Sequence, residues 1–272
     1  TFEERQEQEE VLHGVDGEIQ EETSFIDKAL RELDEHLIRI KNGSSVYELA
    51  ETMSAAYVGA RAFRIMFLRG NRYDAKTSAN QMMKFFEMKQ QLFGNDKLVK
   101  DITIDDLDDD DREALKVGST QLAGRDKSNR QIIVQMPGVR NFGNLQNELR
   151  ARFYTTMEAL RSERTQLKGF VAIMYAIGNF KDRSKGVGFF EHFRLRHSLP
   201  IHNAAVHVCL DDPNQFIVIK AGLITASNTL RARFRVHYGS HLECQYSLAT
   251  YGISKELLPL TATYEADMHR HL

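Results

Sequence analysis

The sequence predicts an α/β protein, with an N-terminal helical subdomain followed by a mostly parallel sheet flanked by helices. Three observations carry this reading. Apolar residues recur at helical spacing through the first third of the chain. Short apolar and β-branched runs then alternate with helical segments. Within the second half, Pro200 to Ser240 reads as a strand, a sharp turn, an unusually apolar helix and another strand.

Taken in order, Thr1 to Gly17 is Glu/Gln-rich with little to bury and is expected to be disordered. From Glu18, Phe25, Ala29, Leu33, Leu37 and Ile40 mark one face of a helix that stops before Asn42-Gly43. Ser45 and Glu48 have capping-box spacing, opening a second helix with Leu49, Met53, Tyr57, Ala60, Phe63 and Phe67 along one side. Its exit is Gly70-Asn71. Asp74 caps a third helix that carries Ala79, Met82, Met83, Phe86 and Phe93 and closes at Gly94. Three amphipathic helices joined by short connections make a helical subdomain over residues 18–95.

Residues 96–117 form an acidic connector. Its run Asp101 to Asp111 lacks the glycine and the terminal glutamate of a calcium loop, so it reads as a solvated link into a short helix, Glu113 to Val117. A second domain spans 118–260. Gln131 to Gln135 is a β-branched strand, and Leu145, Leu149, Phe153, Met157 and Leu160 line a long helix. Gly169 to Ile177 is a continuously apolar strand, and a helix is expected from Ser184 to His197. Ala204 to Leu210 is the next strand, Asn214 to Ala226 the apolar helix, and Arg233 to Tyr238 the last strand. Strands joined through helices run parallel. Ser240 and Glu243 open a closing helix that ends at Gly252, and 261–272 is an irregular tail.

Asp212 and Pro213 start the apolar helix well, one as a cap and the other at the first helical position. Phe216, Ile217, Val218 and Ile219 are consecutive, with Leu223 and Ile224 a turn later, so more than one stripe is apolar. Such a helix is either buried in a core or facing something other than water. Both readings stand at this point, a core helix and a movable lid over an apolar cavity.

Composition excludes several classes. The net charge of −2 gives no reason to expect nucleic-acid binding, and no apolar run is long enough to span a bilayer. Cys209 and Cys244 have no metal or redox spacing and read as small hydrophobes. The expected setting is cytoplasmic. The chain carries no G-x-S-x-G elbow, phosphate loop or H-E-x-x-H motif, and Gly186-Val187-Gly188 meets Glu191 where a dinucleotide loop needs its third glycine. His207 and His237 lie inside strands, where a satisfied ring is ordinary. No enzyme activity, metal or cofactor is expected.

Four segments resemble the CRAL-TRIO lipid-transfer family. Arg61 to Gly94 is similar to its N-terminal helical module, with Phe67-Leu68-Arg69 at a helix end and Tyr73-Asp74 at the following turn. Gly124 to Val134 resembles the approach to its first strand, and Asp211-Asp212-Pro213 stands where the family has an Asn-x-Pro turn before its mobile gate helix. Arg233 to Pro259 resembles its last strand, helix and leucine-proline ending. Together they cover about Val46 to Leu260 in the family's order.

The resemblance implies a lipid cavity closed by a gate helix, and a protein that exchanges a hydrophobic ligand or phospholipid at membrane surfaces by peripheral association. It places Ile173, Tyr175, Ile177, Phe190, Phe193, Val206, Val208 and Val236 among the cavity candidates. The gate would present Phe216, Ile217, Ile219 and Leu223. Lys220, Arg231 and Arg233 are candidates for head-group or membrane contact, with solvated edge charge as the competing reading. Ile201 directly follows Pro200, where phosphatidylinositol-binding members carry an acidic residue. Leu223-Ile224-Thr225-Ala226 replaces the lysine-proline-phenylalanine-leucine end of the gate, and Thr261-Ala262-Thr263 replaces a glycine pair. These departures favour a more hydrophobic ligand over phosphatidylinositol. A ligand-free interaction module of the same fold is the alternative.

Overall fold

The computed structural model of the chain describes residues 21–136, 144–177, 189–225 and 233–258. The segments 1–17 and 261–272 lie outside them. Helix α1 (Thr23–Ile40) buries Ala29, Leu33 and Leu37, the stripe its spacing predicts. The expected second helix is instead three pieces: α2 (Ser45–Met53), α3 (Ala55–Val58) and α4 (Arg61–Gly70). Ser44, not Ser45, caps α2, its hydroxyl accepting from the Tyr47 N–H at 3.3 Å. Ser54 then breaks the run, because its own hydroxyl accepts from the Tyr57 N–H at 3.2 Å and starts a new helix. The predicted cap at Asp74 is present, accepting from the Thr77 N–H at 2.7 Å to open α5 (Ala75–Phe93). Gly94 ends α5 at φ 78°.

The acidic connector is more ordered than its charge suggests. Helix α6 (Asp109–Val117) starts four residues earlier than expected because Asp108 and Asp111 cap each other's backbone N–H groups, at 2.8 and 3.2 Å. Thr103 and Asp106 form a second such box one turn upstream. Asp106, Asp108 and Asp111 are therefore caps at helix starts, where carboxylates also complement the helix dipole.

Five strands follow: β1 (Thr120–Arg125), β2 (Gln131–Gln135), β3 (Phe170–Ala176), β4 (Asn203–Leu210) and β5 (Phe234–Tyr238). Their spatial order is their chain order, with β1 antiparallel to β2 and all later neighbours parallel. The sequence reading missed β1, whose pairing is interrupted by a register shift between Leu122 and Arg125 and whose Gly124 sits at φ 92°. A turn containing Asn129 at φ 67° joins it to β2, and the buried Asp126 carboxylate clamps that turn by accepting from Arg130 Nε at 2.6 Å.

Between the parallel strands lie α7 (Leu145–Leu160) with α8 (Glu163–Lys168), then α9 (Phe189–Ser198), then α10 (Pro213–Thr225). With strands laid down in chain order and crossovers of one hand, successive connecting helices fall on the same side of the sheet. The packing follows that rule. Ile133 of β2 shares a core with Leu149 and Phe153 of α7, and Val206 and Val208 of β4 share one with Phe216 and Ile219 of α10. The opposite face is covered by α11 (His241–Thr250), which contributes Cys244 and Leu248 to a core with Val171, Ile173, Tyr175 and Cys209.

The helical subdomain is bound tightly to the sheet domain. The Gln81 side chain donates to the Leu199 carbonyl at 2.6 Å, and Arg69 reaches Glu163 and Gln166 of α8 at 2.5 and 2.8 Å. Gly70 lies so close to Pro200 that a Cβ there would meet the Pro200 carbonyl oxygen at 2.7 Å. Only glycine allows that approach.

Candidate functional site

The apolar helix α10 is set by its cap. Asp212 accepts from the N–H groups of Asn214 and Gln215 at 2.8 and 3.4 Å, and Pro213 occupies the first helical position. This orients Phe216 and Ile219 toward the sheet, where they pack on Ala176, Val206, Val208, Leu210 and Val236. Phe216 also stacks at a tilt on Tyr238, with centroids 5.1 Å apart. Leu223 is half-buried a turn later. The outer face also carries apolar groups, since Ile217 and Val218 are 63% and 69% exposed, beside the exposed Asn214 and Lys220. A helix sealed inside a core is thereby excluded. The apolar residues Ile217 and Val218 thus lie on the surface of the helix.

Beside α10 the helical cover of the sheet is incomplete. Met174 stands at the centre of the middle strand on the helix-facing side, paired in register with Val208, and keeps 39% of its surface exposed. Phe193 of α9 is 52% exposed. Both side chains therefore keep apolar surface in contact with solvent.

The candidate residues divide between the two faces. Val206, Val208 and Val236 lie together under α10 with Phe216 and Ile219. Ile173, Tyr175 and Ile177 do not join them, and this corrects the expectation that all six share one wall. They point to the other face and pack beneath α11, where Tyr175 Oη lies 2.6 Å from His241 Nδ1. Alternation is the cause, because a one-residue change of parity moves a strand's whole side-chain set across the sheet. The groups of β3 that do face α10 are Ala172, Met174 and Ala176, a set the sequence reading did not select.

Lys220 is exposed, with its ammonium 5.5 Å from the Phe216 ring centroid. Arg233 is half-buried and donates to the Asn203 carbonyl at 3.2 Å, which ties it to the start of β4. The Phe190 side chain and Arg231 lie outside the described residues.

The closed face holds a polar network that sequence reasoning treated as separate satisfied rings. His207 Nδ1 lies 2.9 Å from His237 Nε2, and His237 Nδ1 lies 2.6 Å from Ser247 Oγ. Burial first, then the neighbouring His237, Arg130 and Arg235, pushes His207 down to about 3. Burial, Arg235 and Lys220 push His237 down to about 4. Both rings are neutral at physiological pH. They lie diagonally across β4 and β5, with Arg235 opposite His207 and Cys209 opposite His237, a placement set by the parallel register that local sequence patterns do not specify.

A second polar group lies between α7 and α9. Arg152 Nη1 lies 3.1 Å from His192 Nδ1, and His192 Nε2 lies 3.3 Å from Glu148 Oε1. Arg196 follows one helical turn after His192. The spacing of Glu148 with Arg152 and of His192 with Arg196, both i,i+4, is the only sequence signal for this cluster.

Among the described residues there is no group of three or more His, Cys, Asp or Glu side chains able to hold a metal ion. Nor is any described helix long and apolar enough to cross a membrane. Set against known proteins, the chain matches no family model, and no curated protein shows significant similarity to it.

Proposed function

We propose that the protein binds a lipid in an apolar cavity between the sheet and α10, and transfers it at membrane surfaces with α10 as the gate. The observation that carries this reading is the two-sided apolar character of a surface helix, with Phe216 and Ile219 toward the sheet and Ile217 and Val218 toward solvent. The incomplete cover over Met174 and the resemblance to CRAL-TRIO proteins support it.

The energetics suit a carrier that performs no covalent chemistry. Each methylene moved from hydrocarbon into water costs ~0.8 kcal/mol, so a ~16-carbon chain leaving a bilayer faces a penalty of roughly 13 kcal/mol. An apolar cavity removes most of it. On a membrane, α10 exchanges its contacts with the sheet for contacts with lipid, so opening is favoured there and disfavoured in water. Lys220, exposed on the same helix, adds attraction to an anionic surface.

Organic extraction and native mass spectrometry of the purified chain test the reading. A co-purifying lipid is expected, together with exchange of labelled lipid between liposomes that is lost when Phe216 and Ile219 are both replaced by Asp. A chain that carries no lipid and catalyses no exchange would sink it.

A further inference from the structure

We propose that Cys209 and Cys244 are an oxidative modification site, a thiol pair that hydrogen peroxide converts to a disulfide joining β4 to α11. This goes beyond the lipid-binding reading and does not depend on it.

The packing places one thiol over the other. Tyr175, Cys209 and His237 form one row across β3, β4 and β5, each in register with the next. The outer two are tied to α11, with Tyr175 Oη 2.6 Å from His241 Nδ1 and His237 Nδ1 2.6 Å from Ser247 Oγ. Cys244 follows His241 by three residues and precedes Ser247 by three, so it stands between them on the same helix face. The middle of the row therefore lies beneath the middle of that face, Cys209 beneath Cys244. Both belong to one packed core, at 0% and 1% exposure, and Cα atoms of α11 come within 8 Å of Cα atoms of β4. Cys244 Sγ also donates to the Gly239 carbonyl at 3.9 Å, while the Gly239 N–H donates to the carbonyl of Leu210, the residue after Cys209.

The two sulfurs differ in character. Cys244 lies in the first turn of α11, just after the Ser240 cap, where the helix dipole favours a thiolate. The hydrogen bond between the thiols lowers the Cys244 pKa and raises that of Cys209, with burial adding to the rise and opposing the fall. Cys244 is therefore the attacking sulfur. Its thiolate takes one oxygen from the peroxide, the O–O bond breaks, and the hydroxide released picks up a proton to become water. The Cys209 sulfur, giving up its own proton, attacks the sulfenic acid on Cys244, forming the S–S bond and releasing a second water. Two thiols have lost two electrons, and one peroxide has become two waters. The oxidant has a short way to travel, since Leu242 and Tyr246 on α11 are each 56% exposed and a single helix separates the pair from solvent. The link would close a loop that holds both α10 and β5.

The chain has two cysteines, so counting thiols reads the reaction directly. The reduced full chain is treated with hydrogen peroxide, then unfolded and alkylated, and the products are read by intact and peptide mass spectrometry. Both alkylatable thiols should disappear, a linked peptide pair carrying Cys209 and Cys244 should appear within the monomer, and dithiothreitol should restore both. The linked protein should melt about 5 °C or more above the reduced one. In Cys209→Ser, Cys244 should stop at the sulfenic acid and be trapped by dimedone, whereas Cys244→Ser should give little trapping. Two intact thiols in protein whose exposed Met53 and Met174 have become sulfoxides would overturn the proposal. So would a disulfide between two chains, oxidation of either wild-type cysteine past the sulfenic acid without a link, or a melting temperature that falls on linking. Trapping at Cys209 in Cys244→Ser, with none at Cys244 in Cys209→Ser, would overturn the assignment of the attacking sulfur.

Discussion

The helical subdomain and the sheet face under α10 draw on the same kinds of apolar side chain and treat them in opposite ways. In the subdomain, Tyr47, Phe67, Phe85 and Phe86 are each at most 1% exposed, and Phe85 meets Phe67, Phe86 and Phe153 with ring centroids 5.4 to 5.6 Å apart. Edge-to-face contacts and full burial complete that core without any further partner. Over the sheet, Met174, Phe193, Ile217 and Val218 stay between 39% and 69% exposed. The two regions differ in how far these side chains are buried, although Ile38 and Met53 of the helical subdomain are exposed as well.

This contrast can be broken from either side. The largest effect is expected in the closed region. Phe85→Ala should lower stability by about 3–5 kcal/mol, read as a shifted denaturant midpoint, because the aromatic cluster cannot collapse into the hole. Next in size is acid sensitivity on the other closed face of the sheet. His207 and His237 have folded-state pKa values depressed to about 3 and about 4 from 6.5. Below about pH 6.5 the unfolded chain takes up protons that the folded one refuses. The stability they contribute is therefore full above that pH and is lost as pH falls toward about 4. One or both rings acting this way would remove about 2–4 kcal/mol by about pH 5, measurable by chemical denaturation across that range. The smallest effect belongs to the open region. Ile217→Ser with Val218→Ser should change stability by less than about 0.5 kcal/mol, since both side chains already face solvent. Lipid exchange should fall nonetheless, which separates the use of that face from its packing.

Much of the architecture was legible because it is written in local chemistry. Asp74, Asp212 and the Ser240–Glu243 pair cap the helices they were expected to cap, and the strands from Gln131, Ala204 and Arg233 fall within a residue of their predicted starts. The break at Ser54 escaped notice because a serine that can cap is also tolerated inside a helix. The candidate site was half legible. On β4 and the helix after it, Val206, Val208, Phe216 and Ile219 do share one face and pack together. On β3, Phe-Val-Ala-Ile-Met-Tyr-Ala is apolar on both faces and offers no alternation from which to read parity. Only the pairing of Met174 with Val208 settles which set lies beneath α10.

The central claim, that a lipid occupies the space over Met174, is tested most directly by placing a reporter there. The chain contains no tryptophan, so Met174→Trp creates a single emitter at the floor of the site. The variant would be loaded from vesicles of bromine-labelled lipid, and the vesicles then removed by gel filtration. Emission quenched in the recovered protein, and restored on exchange with unlabelled lipid, is the expected result. Undiminished emission from protein shown by extraction to carry the brominated lipid would contradict the account and place the ligand elsewhere.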